Sequence, residues 1–314
     1  MNPKRIRIVF IGGLIGGHKA LEALLEAGED VVAAFTWSSS HSDASCFQSF
    51  EDIEPRFEVP VHKVEDINDP VTVEAIGKLN PDLIVVICWS QIIGKRILDI
   101  APHGAIGMHP TLLPRNRGRA PIPWAIIKGL DLTGVTIFKY EPKVDSGSIL
   151  EQEAIPVEYR DTALDLGLKV DEASIRLLLR AVRRIAEQAA EPIRQDHSKA
   201  NYWPKRRPED GVIDWEKSSE DLYNWIRGLS RPYPGAFTRL DGRTLYVWEA
   251  AQHDEPVRGR PGQVLVLLPE GLLVATGRGG IVLRTLQLEG GSEMPAAEFA
   301  EKTGLQPGSV LGGS

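Results

Sequence analysis

The sequence predicts an α/β protein with a mostly parallel sheet, followed by a smaller domain rich in β-strands. Two observations support this fold class. Up to about residue 190, short apolar runs of strand length alternate with segments of helical spacing, as in parallel sheets with crossover helices. From Gly211 onward, short strands separated by turn residues follow one another, which suggests a small β-barrel or an open sheet. The polar, proline-bearing stretch Glu191–Asp210 lies between these regions and reads as a linker.

The elements of the first region follow from apolar periodicity and from glycine or proline at their ends. Strands are expected at Arg5–Gly12, Asp30–Trp37, Val61–Lys63, Pro81–Ile87 and Ala105–Met108. Helices are expected at His18–Gly28, Pro70–Leu79 and Ile92–Ile100. Because ligands bind outside the carboxyl ends of parallel strands, the loops after Phe10, Ile87 and Met108 are expected to form the site.

Further along the chain, a short helix is expected to end near Lys128, before a strand pair at Gly134–Tyr140 and Ile149–Pro156. A long amphipathic helix follows at Thr162–Ala189, with an apolar stripe of Leu164, Leu168, Ile175, Leu178 and Val182. The last region is expected to contain a helix at Ser219–Leu229 and strands at Thr244–Ala250, Gly262–Leu268, Gly271–Thr276 and Ile281–Leu288. We therefore expect two domains, residues 1–205 and 206–314.

Composition narrows the functional classes. The 314 residues suit one large or two ordinary domains, and a formal net charge of −7 gives no general basic footprint for nucleic acid. The two cysteines, Cys46 and Cys88, cannot form a thiolate metal site alone, and we expect no metal and a cytoplasmic location. The sequence suggests neither a signal peptide nor a membrane span.

The most informative segment is 105–150, which sets His109 directly after an apolar run. A Pro-Thr-Leu-Leu-Pro stretch and an Arg/Gly loop, RNRGRA, follow it, and Asp145 lies in a later Asp-Ser-Gly turn. Taken alone, His109 would more often be a core histidine and Asp145 a routine turn acid. Together they suit an imidazole that is held by a carboxylate and acts near neutral pH.

This segment resembles the signature of the formyltetrahydrofolate-dependent formyltransferases. That signature reads Asn-x-His-Pro-Ser-Leu-Leu-Pro, with Asp-x-Gly after about thirty residues. The phrases VIDW, WIRGLSRPYPGAF and PGQVL of the second region are similar to the family's C-terminal domain. The resemblance implies a Rossmann-like formyltransferase domain followed by a small OB-type barrel. It also implies 10-formyltetrahydrofolate as formyl donor, and catalytic roles for His109 and Asp145.

The resemblance also implies where the folate binds. The segment Cys88–Ile93 and the loop Phe138–Val144 match the two sides of the family's folate pocket. For Trp89, an ordinary core position is nearly as probable on the residue alone. The residues expected to bind the folate are Trp89, Ser90, Gln91, Ile92, Phe138, Tyr140 and Val144.

One residue departs from the signature, because Gly107 stands where the family has Asn. Loss of one oxyanion donor typically costs on the order of a hundredfold or more in rate. Three explanations are open. Gln91, Ser90 or Asn116 supplies the donor, a water fills the space, or the protein binds ligands without transferring a formyl group.

The expected acceptor is an amine of a nucleotide-linked amino sugar, a small molecule. The segment Thr36–Pro55 has no Lys or Arg, which argues against the acceptor stem of a tRNA, so no nucleic-acid partner is expected. The resemblance leaves open a methionyl-tRNA formyltransferase, a formyl-folate hydrolase or a non-catalytic folate- or nucleotide-binding protein, and a homodimer is possible. The residues expected to bind the acceptor are Thr111, Arg115, Arg117, Arg119, Arg206 and Arg207, although a solvated basic loop explains the first cluster equally well.

Overall fold

The protein is described from a computed structural model, and the description is confined to residues 5–38 and 46–312. The chain divides into two compact units. The first comprises residues 1–121, 132–156 and 168–204, and the second comprises residues 122–131, 157–167 and 205–314. The boundary between residues 205 and 206 stays a prediction.

The first unit is built on a seven-stranded sheet with the strand order β3-β2-β1-β4-β5-β7-β8. Strands β1 to β5 are mutually parallel, whereas β7 and β8 extend the sheet as an antiparallel pair. A separate short pair joins β6 and β9. The strands are β1 Arg7–Gly12, β2 Asp30–Trp37, β3 Val61–Val64, β4 Leu83–Ile87, β5 Ala105–His109, β6 Arg117–Gly118, β7 Leu132–Lys139, β8 Ile149–Pro156 and β9 Tyr202–Trp203.

Helices connect the strands of this sheet. Apolar side chains of β1, β2, β4 and β5 pack with those of α3 and α4, which gives the sheet a buried face. The helices along this part of the chain are α1 Leu14–Glu26, α2 Ile53–Phe57, α3 Pro70–Lys78, α4 Lys95–Leu98, α5 Pro121–Ile127 and α6 Ala163–Ala186. Residues 122–127 of α5 and 163–167 of α6 belong to the second unit. Short 3₁₀ helices lie at His197–Lys199 and Pro208–Gly211.

Three helices differ from their sequence-based predictions. α1 begins at Leu14, four residues before the predicted start at His18. α4 is shorter than the predicted Ile92–Ile100, because Gly94 has an extended backbone and precedes the first helical residue. In α6, Leu164 and Leu168 are about half exposed instead of belonging to the buried stripe. The buried face is rotated from the predicted one and includes Leu166, Val170, Leu177, Ala181 and Val182.

The second unit is built on an antiparallel sheet with the order β10-β11-β14-β13-β12, to which β15 adds by pairing with β14. Its strands are β10 Ala236–Leu240, β11 Arg243–His253, β12 Val264–Leu268, β13 Gly271–Ala275, β14 Gly280–Leu288 and β15 Met294–Pro295, and its helices are α7 Ser219–Leu229 and α8 Ala296–Thr303. Ser218 caps α7 by accepting a hydrogen bond from the Asp221 amide. Of these elements, the strands β10 and β15 and the helix α8 were not predicted. The α/β fold class is confirmed.

Across the described ranges 5–38 and 46–312, none of the helices combines the length and the apolar character that crossing a bilayer requires.

Candidate active site

The site is built around His109, the last residue of β5. β5 lies beside β4 in parallel and beside β7 in antiparallel register, so His109 lies at the carboxyl edge of the parallel strands. Its ring is buried, and Nε2 lies 2.9 Å from the carbonyl oxygen of Asn116. Because a carbonyl oxygen only accepts hydrogen bonds, Nε2 carries the proton in this contact. The other ring nitrogen, Nδ1, lies 3.7 Å from Oδ2 of Asp145.

Asp145 is held in place by backbone groups. Its φ of 50° is in the left-handed region that Asp tolerates, and Oδ2 accepts a hydrogen bond from the amide of Gly118 at 2.8 Å. Gly147 shows why the turn needs glycine, since an added Cβ would lie 1.7 Å from the carbonyl oxygen of Lys139. The Asp-Ser-Gly turn therefore aims one carboxylate oxygen at the imidazole.

The buried side chain of Arg117 stabilises this turn through Gln195. The Arg117 guanidinium donates to Oε1 of Gln195 at 2.6 Å and to the Tyr202 hydroxyl at 3.0 Å, and it lies 2.9 Å from Nδ1 of His197. Gln195 in turn donates from Nε2 to the carbonyl oxygen of Asp145 at 2.9 Å. Gln195, His197 and Tyr202 come from the stretch read as a linker. The sequence analysis missed their role because polar residues without periodicity give no signal of a long-range contact.

A cavity lies beside the His–Asp pair, with about 910 Å³ of empty space when its open mouth is counted. Two apolar side chains at its lining, Ile92 and Val144, are 67% and 47% exposed. All seven residues predicted to bind folate line this cavity together with His109 and Asp145: Trp89, Ser90, Gln91, Ile92, Phe138, Tyr140 and Val144.

Two of these residues are held by neighbours that the sequence analysis did not include. The Trp89 indole stacks on Trp37 of β2, with ring centroids 3.6 Å apart and planes 6° from parallel. The amide of Gln91 donates to the carbonyl oxygen of Glu65 at 2.6 Å and accepts from the amide of Ile67 at 3.0 Å. The wall formed by Cys88–Ile93 is therefore fixed by β2 and by the loop after β3.

The residues predicted to bind the acceptor are found in different environments. Thr111 and Arg117 are fully buried and bonded to other protein groups, which argues against direct contacts with a substrate. Arg115 is exposed. Arg119 is also exposed, lines the cavity and donates to the carbonyl oxygen of Ser90 at 2.6 Å.

The remaining two predicted residues lie in the second unit. The Arg206 guanidinium stacks over the rings of Trp124 and Trp225, at 4.8 and 4.6 Å, and burial lowers its pKa. The amide of Arg207 donates to Asp210 in the 3₁₀ turn that follows. Arg206 therefore packs within its own unit, whereas the side chain of Arg207 is exposed.

Comparison with known proteins places the chain among enzymes that transfer formyl groups. The formyl transferase family matches residues 6–182, and the formyl transferase C-terminal domain matches residues 205–304. The chain belongs to the formyl transferase family. It is a formyltransferase, and its formyl donor is 10-formyltetrahydrofolate.

The chain is similar to two curated relatives over nearly its whole length. It is 37% identical to the methionyl-tRNA formyltransferase of Syntrophus aciditrophicus, over 98% of this chain and 99% of the relative. It is 35% identical to that of Geobacter sulfurreducens, over 98% and 97%. A solved N-formyltransferase from Helicobacter canadensis, in complex with folinic acid and dTDP-3-aminofucose, has the same fold, with a TM-score of 0.68 at 17% identity over 88% of this chain and 98% of that chain.

These comparisons overturn two sequence-based predictions. The nucleotide-linked amino sugar was wrong as acceptor, because the likeness to a sugar enzyme is confined to the fold, whereas the full-length relatives act on methionyl-tRNA. The expectation of no nucleic-acid partner was wrong for the same reason. The prediction relied on the net charge of the whole chain. Contacts with phosphates need cations only on the surface that meets the RNA, so an acidic protein can still bind it. Within Thr36–Pro55, residues 39–45 lie outside the described part of the structure.

The cavity fits the family's folate donor. Ile92 and Val144 expose apolar surface that contributes little to folding, which suits contact with the flat, largely apolar rings of a folate. Nε1 of Trp89 is buried without a hydrogen-bond partner among the described residues, so the indole packs by its faces alone. The cavity also reaches His109 and Asp145, so that a ligand lying in it can contact both residues.

Proposed function

We propose that this formyltransferase formylates the amino group of methionyl-tRNA. The observation that carries the proposal is the similarity to two methionyl-tRNA formyltransferases over 98% of the chain. A likeness in fold alone would not support an acceptor, because one fold hosts many substrates. Similarity that continues through both domains supports a shared acceptor more strongly.

In this proposal His109 and Asp145 are the catalytic pair. Attack by the amine forms a nitrogen–carbon bond at the formyl group, and the amine then gives up a proton while the folate nitrogen takes one. Asn116 holds Nε2 of His109, which leaves Nδ1 turned toward Asp145. The carboxylate of Asp145, fixed by the Gly118 amide, is the group that orients the imidazole and accepts the proton.

The folate is proposed to bind along the cavity. Trp89 and Ile92 contact the pterin on one side, and the loop Phe138–Val144 covers the other side. Ser90 and Gln91 shape the wall through their backbone, with Gln91 locked by its own hydrogen bonds. The domain boundary between residues 205 and 206 belongs to the same proposal, with the second domain following the catalytic one.

The RNA is proposed to meet cations near the mouth of the cavity. Arg119 lines the cavity, and Arg115 is exposed in the same loop. Lys143 is exposed between the cavity-lining residues Pro142 and Val144. Phosphate contacts from such side chains supply affinity in an otherwise acidic protein.

The direct test is transfer to charged initiator tRNA. The purified protein, 10-formyltetrahydrofolate and tRNA carrying labelled methionine should yield N-formylmethionyl-tRNA. Free methionine and uncharged tRNA serve as controls and should not be formylated. Formate as the product, or no turnover with the charged tRNA, would overturn the proposal in favour of hydrolysis or of ligand binding alone.

A second arm tests the cations. Arg115→Ser with Lys143→Ser should raise KM for the tRNA and reduce the salt dependence of binding by about one per lost phosphate contact. Lys78→Ser is the matched control, because Lys78 ends α3 and precedes β4, at the opposite edge of the sheet from His109. Equal effects of both changes would argue against an RNA surface at the cavity mouth.

A further inference from the structure

The space beside Gly107 is filled by a neighbouring tyrosine. In the antiparallel pair of β5 and β7, Gly107 lies opposite Phe138, and the amide of Tyr140 donates to the carbonyl oxygen of Ala105 at 2.8 Å. A Cβ added to Gly107 would lie 2.1 Å from Cε2 and 2.9 Å from Cδ2 of Tyr140. The ring therefore occupies the position that a side chain at residue 107 would take. We call Gly107 and Tyr140 a matched pair, because the glycine leaves the space that the tyrosine ring fills.

Tyr140 belongs to the lining of the cavity, and stacking holds its ring in place. Tyr140 lines the cavity with His109 and Asp145, and its ring stacks on Phe138 with centroids 5.4 Å apart and planes at 20°. Within residues 5–38 and 46–312, the hydroxyl has no hydrogen-bond partner. A hydroxyl next to a reacting centre, without a partner of its own, is a donor available to a ligand.

The hydroxyl also keeps its proton. Burial raises the pKa of Tyr140, and the nearby Asp145 carboxylate raises it further. Because the neutral form is the one that donates, the group remains a hydrogen-bond donor throughout the neutral range.

The three side chains predicted to replace the missing asparagine are less suited. Both sides of the Gln91 amide are bonded to the backbone at residues 65 and 67. Asn116 is not among the residues that line the cavity, and its side chain is bonded to Asn201 at 2.9 Å through its oxygen. Ser90 lines the cavity and has an exposed side chain, so it is the one competitor that an experiment must address.

We propose that the Tyr140 hydroxyl donates a hydrogen bond to the formyl oxygen and replaces the asparagine amide that Gly107 lacks. The proposal rests on formyl transfer at this site, whichever amine accepts the group. During transfer, a bond forms between the amine nitrogen and the formyl carbon, and the bond from that carbon to folate N10 breaks. One proton leaves the amine and one reaches N10. Tyr140 keeps its proton and stabilises the negative charge that develops on oxygen.

The first test removes the hydroxyl alone. Tyr140→Phe should lower kcat about a hundredfold, the typical effect of one lost oxyanion donor, while melting temperature and affinity for a folate without a formyl group stay the same. Tyr246→Phe loses a hydroxyl outside the cavity and should retain full activity. Full kcat in Tyr140→Phe would overturn the proposal. A hundredfold loss of kcat in Ser90→Ala, with full kcat in Tyr140→Phe, would assign the donor to Ser90 instead.

The second test does not depend on turnover or on the acceptor. A stable N10-formyl folate analogue with ¹³C in its formyl group is bound to the protein, and the carbonyl stretch is recorded by infrared difference spectroscopy. A donated hydrogen bond lowers that frequency, so Tyr140→Phe should shift the band toward that of the free analogue. An identical band in both proteins means that Tyr140 does not touch the formyl oxygen. Failure of the tRNA assay would leave this measurement intact.

The third test exploits the matched pair. Gly107→Asn alone should lower both turnover and melting temperature, because its side chain overlaps the Tyr140 ring. Gly107→Asn with Tyr140→Ala removes the overlap and restores an amide donor, and it should recover at least about tenfold over Tyr140→Ala. No recovery in a stably folded double variant would count against a shared role of the two positions.

Discussion

Oδ2 of Asp145 lies 3.7 Å from Nδ1 of His109 and accepts a hydrogen bond from the Gly118 amide at 2.8 Å. The carboxylate is thus fixed by the loop that follows His109. At 3.7 Å the contact with the imidazole is an ion-pair distance and is longer than a hydrogen bond. A small movement of either residue would close it when substrates bind, as catalytic contacts often tighten in the substrate complex.

The first prediction is that His109 and Asp145 act as a unit. His109→Ala and Asp145→Asn should each lower kcat at least about a hundredfold, and the double variant should lose little more than either single one. Single-turnover formyl transfer measures all three, with melting curves to show that each variant is folded. Losses that multiply in the double variant would mean that the residues act independently.

The second prediction concerns the buried guanidinium of Arg117. Arg117→Met leaves Gln195 without its partner and should lower the free energy of unfolding by about 1–3 kcal/mol, the usual cost of an unsatisfied buried polar group. Activity should fall as well, because Gln195 also holds the backbone of Asp145. Urea titration provides the measurement. Arg115→Met, at an exposed position of the same loop, should stay within about 0.5 kcal/mol of the parent.

The third prediction separates ligand binding from folding at Ile92. Because this side chain is 67% exposed, Ile92→Ala should leave the melting temperature unchanged. Covering it with a folate ring buries apolar area, so the variant should weaken folate binding by about 1 kcal/mol, or roughly fivefold. Isothermal titration with a stable formyl-folate analogue tests this. Val212→Ala, at an exposed valine that does not line the cavity, is the control and should bind normally.

The fourth prediction concerns Cys88 at high pH. Burial raises the pKa of its thiol from a usual value of 9.0 to about 12. The unfolded chain therefore releases this proton first, so the free energy of unfolding should fall as pH rises from about 9 to 12. The maximal slope is about 1.4 kcal/mol per pH unit for one group. Denaturant titrations at several pH values should give a shallower fall for Cys88→Ala than for the parent, and parallel curves would contradict this assignment.

Local pattern was sufficient for most of the fold and for the core of the site. The apolar runs at β1, β2 and β4 and the helical spacing of α3 and α7 predict their elements, because burial on a sheet or along one helix face imposes a period on the sequence. The segment 105–150 located His109 and Asp145. All seven predicted folate-binding residues line one cavity.

Short-range patterns were misleading where the function depends on the charge of one surface, or where the structure depends on contacts between residues far apart in the chain. The acidic total charge and a cation-free segment suggested an acceptor without RNA, but neither describes the surface that a tRNA would meet. The linker reading of Glu191–Asp210 hid the partners of Arg117, since Gln195 is 78 residues away in sequence. The strand β10 and the helix α8 were missed although each has a signal at its end, the Asp241-Gly242 turn after β10 and the left-handed Gly304 after α8.

By itself the sequence predicted most of the strands and helices in their order, the pair proposed as catalytic, His109 and Asp145, and the absence of the family's asparagine at Gly107. The tertiary structure decided which distant groups complete them. The Gly118 amide reaches Asp145 across 27 residues, and the Tyr140 ring fills the space above Gly107 through the register of β5 and β7. Periodicity reports which side of an element is buried, whereas the partner of a given side chain is set by strand order and register, which bring residues far apart in the chain into contact.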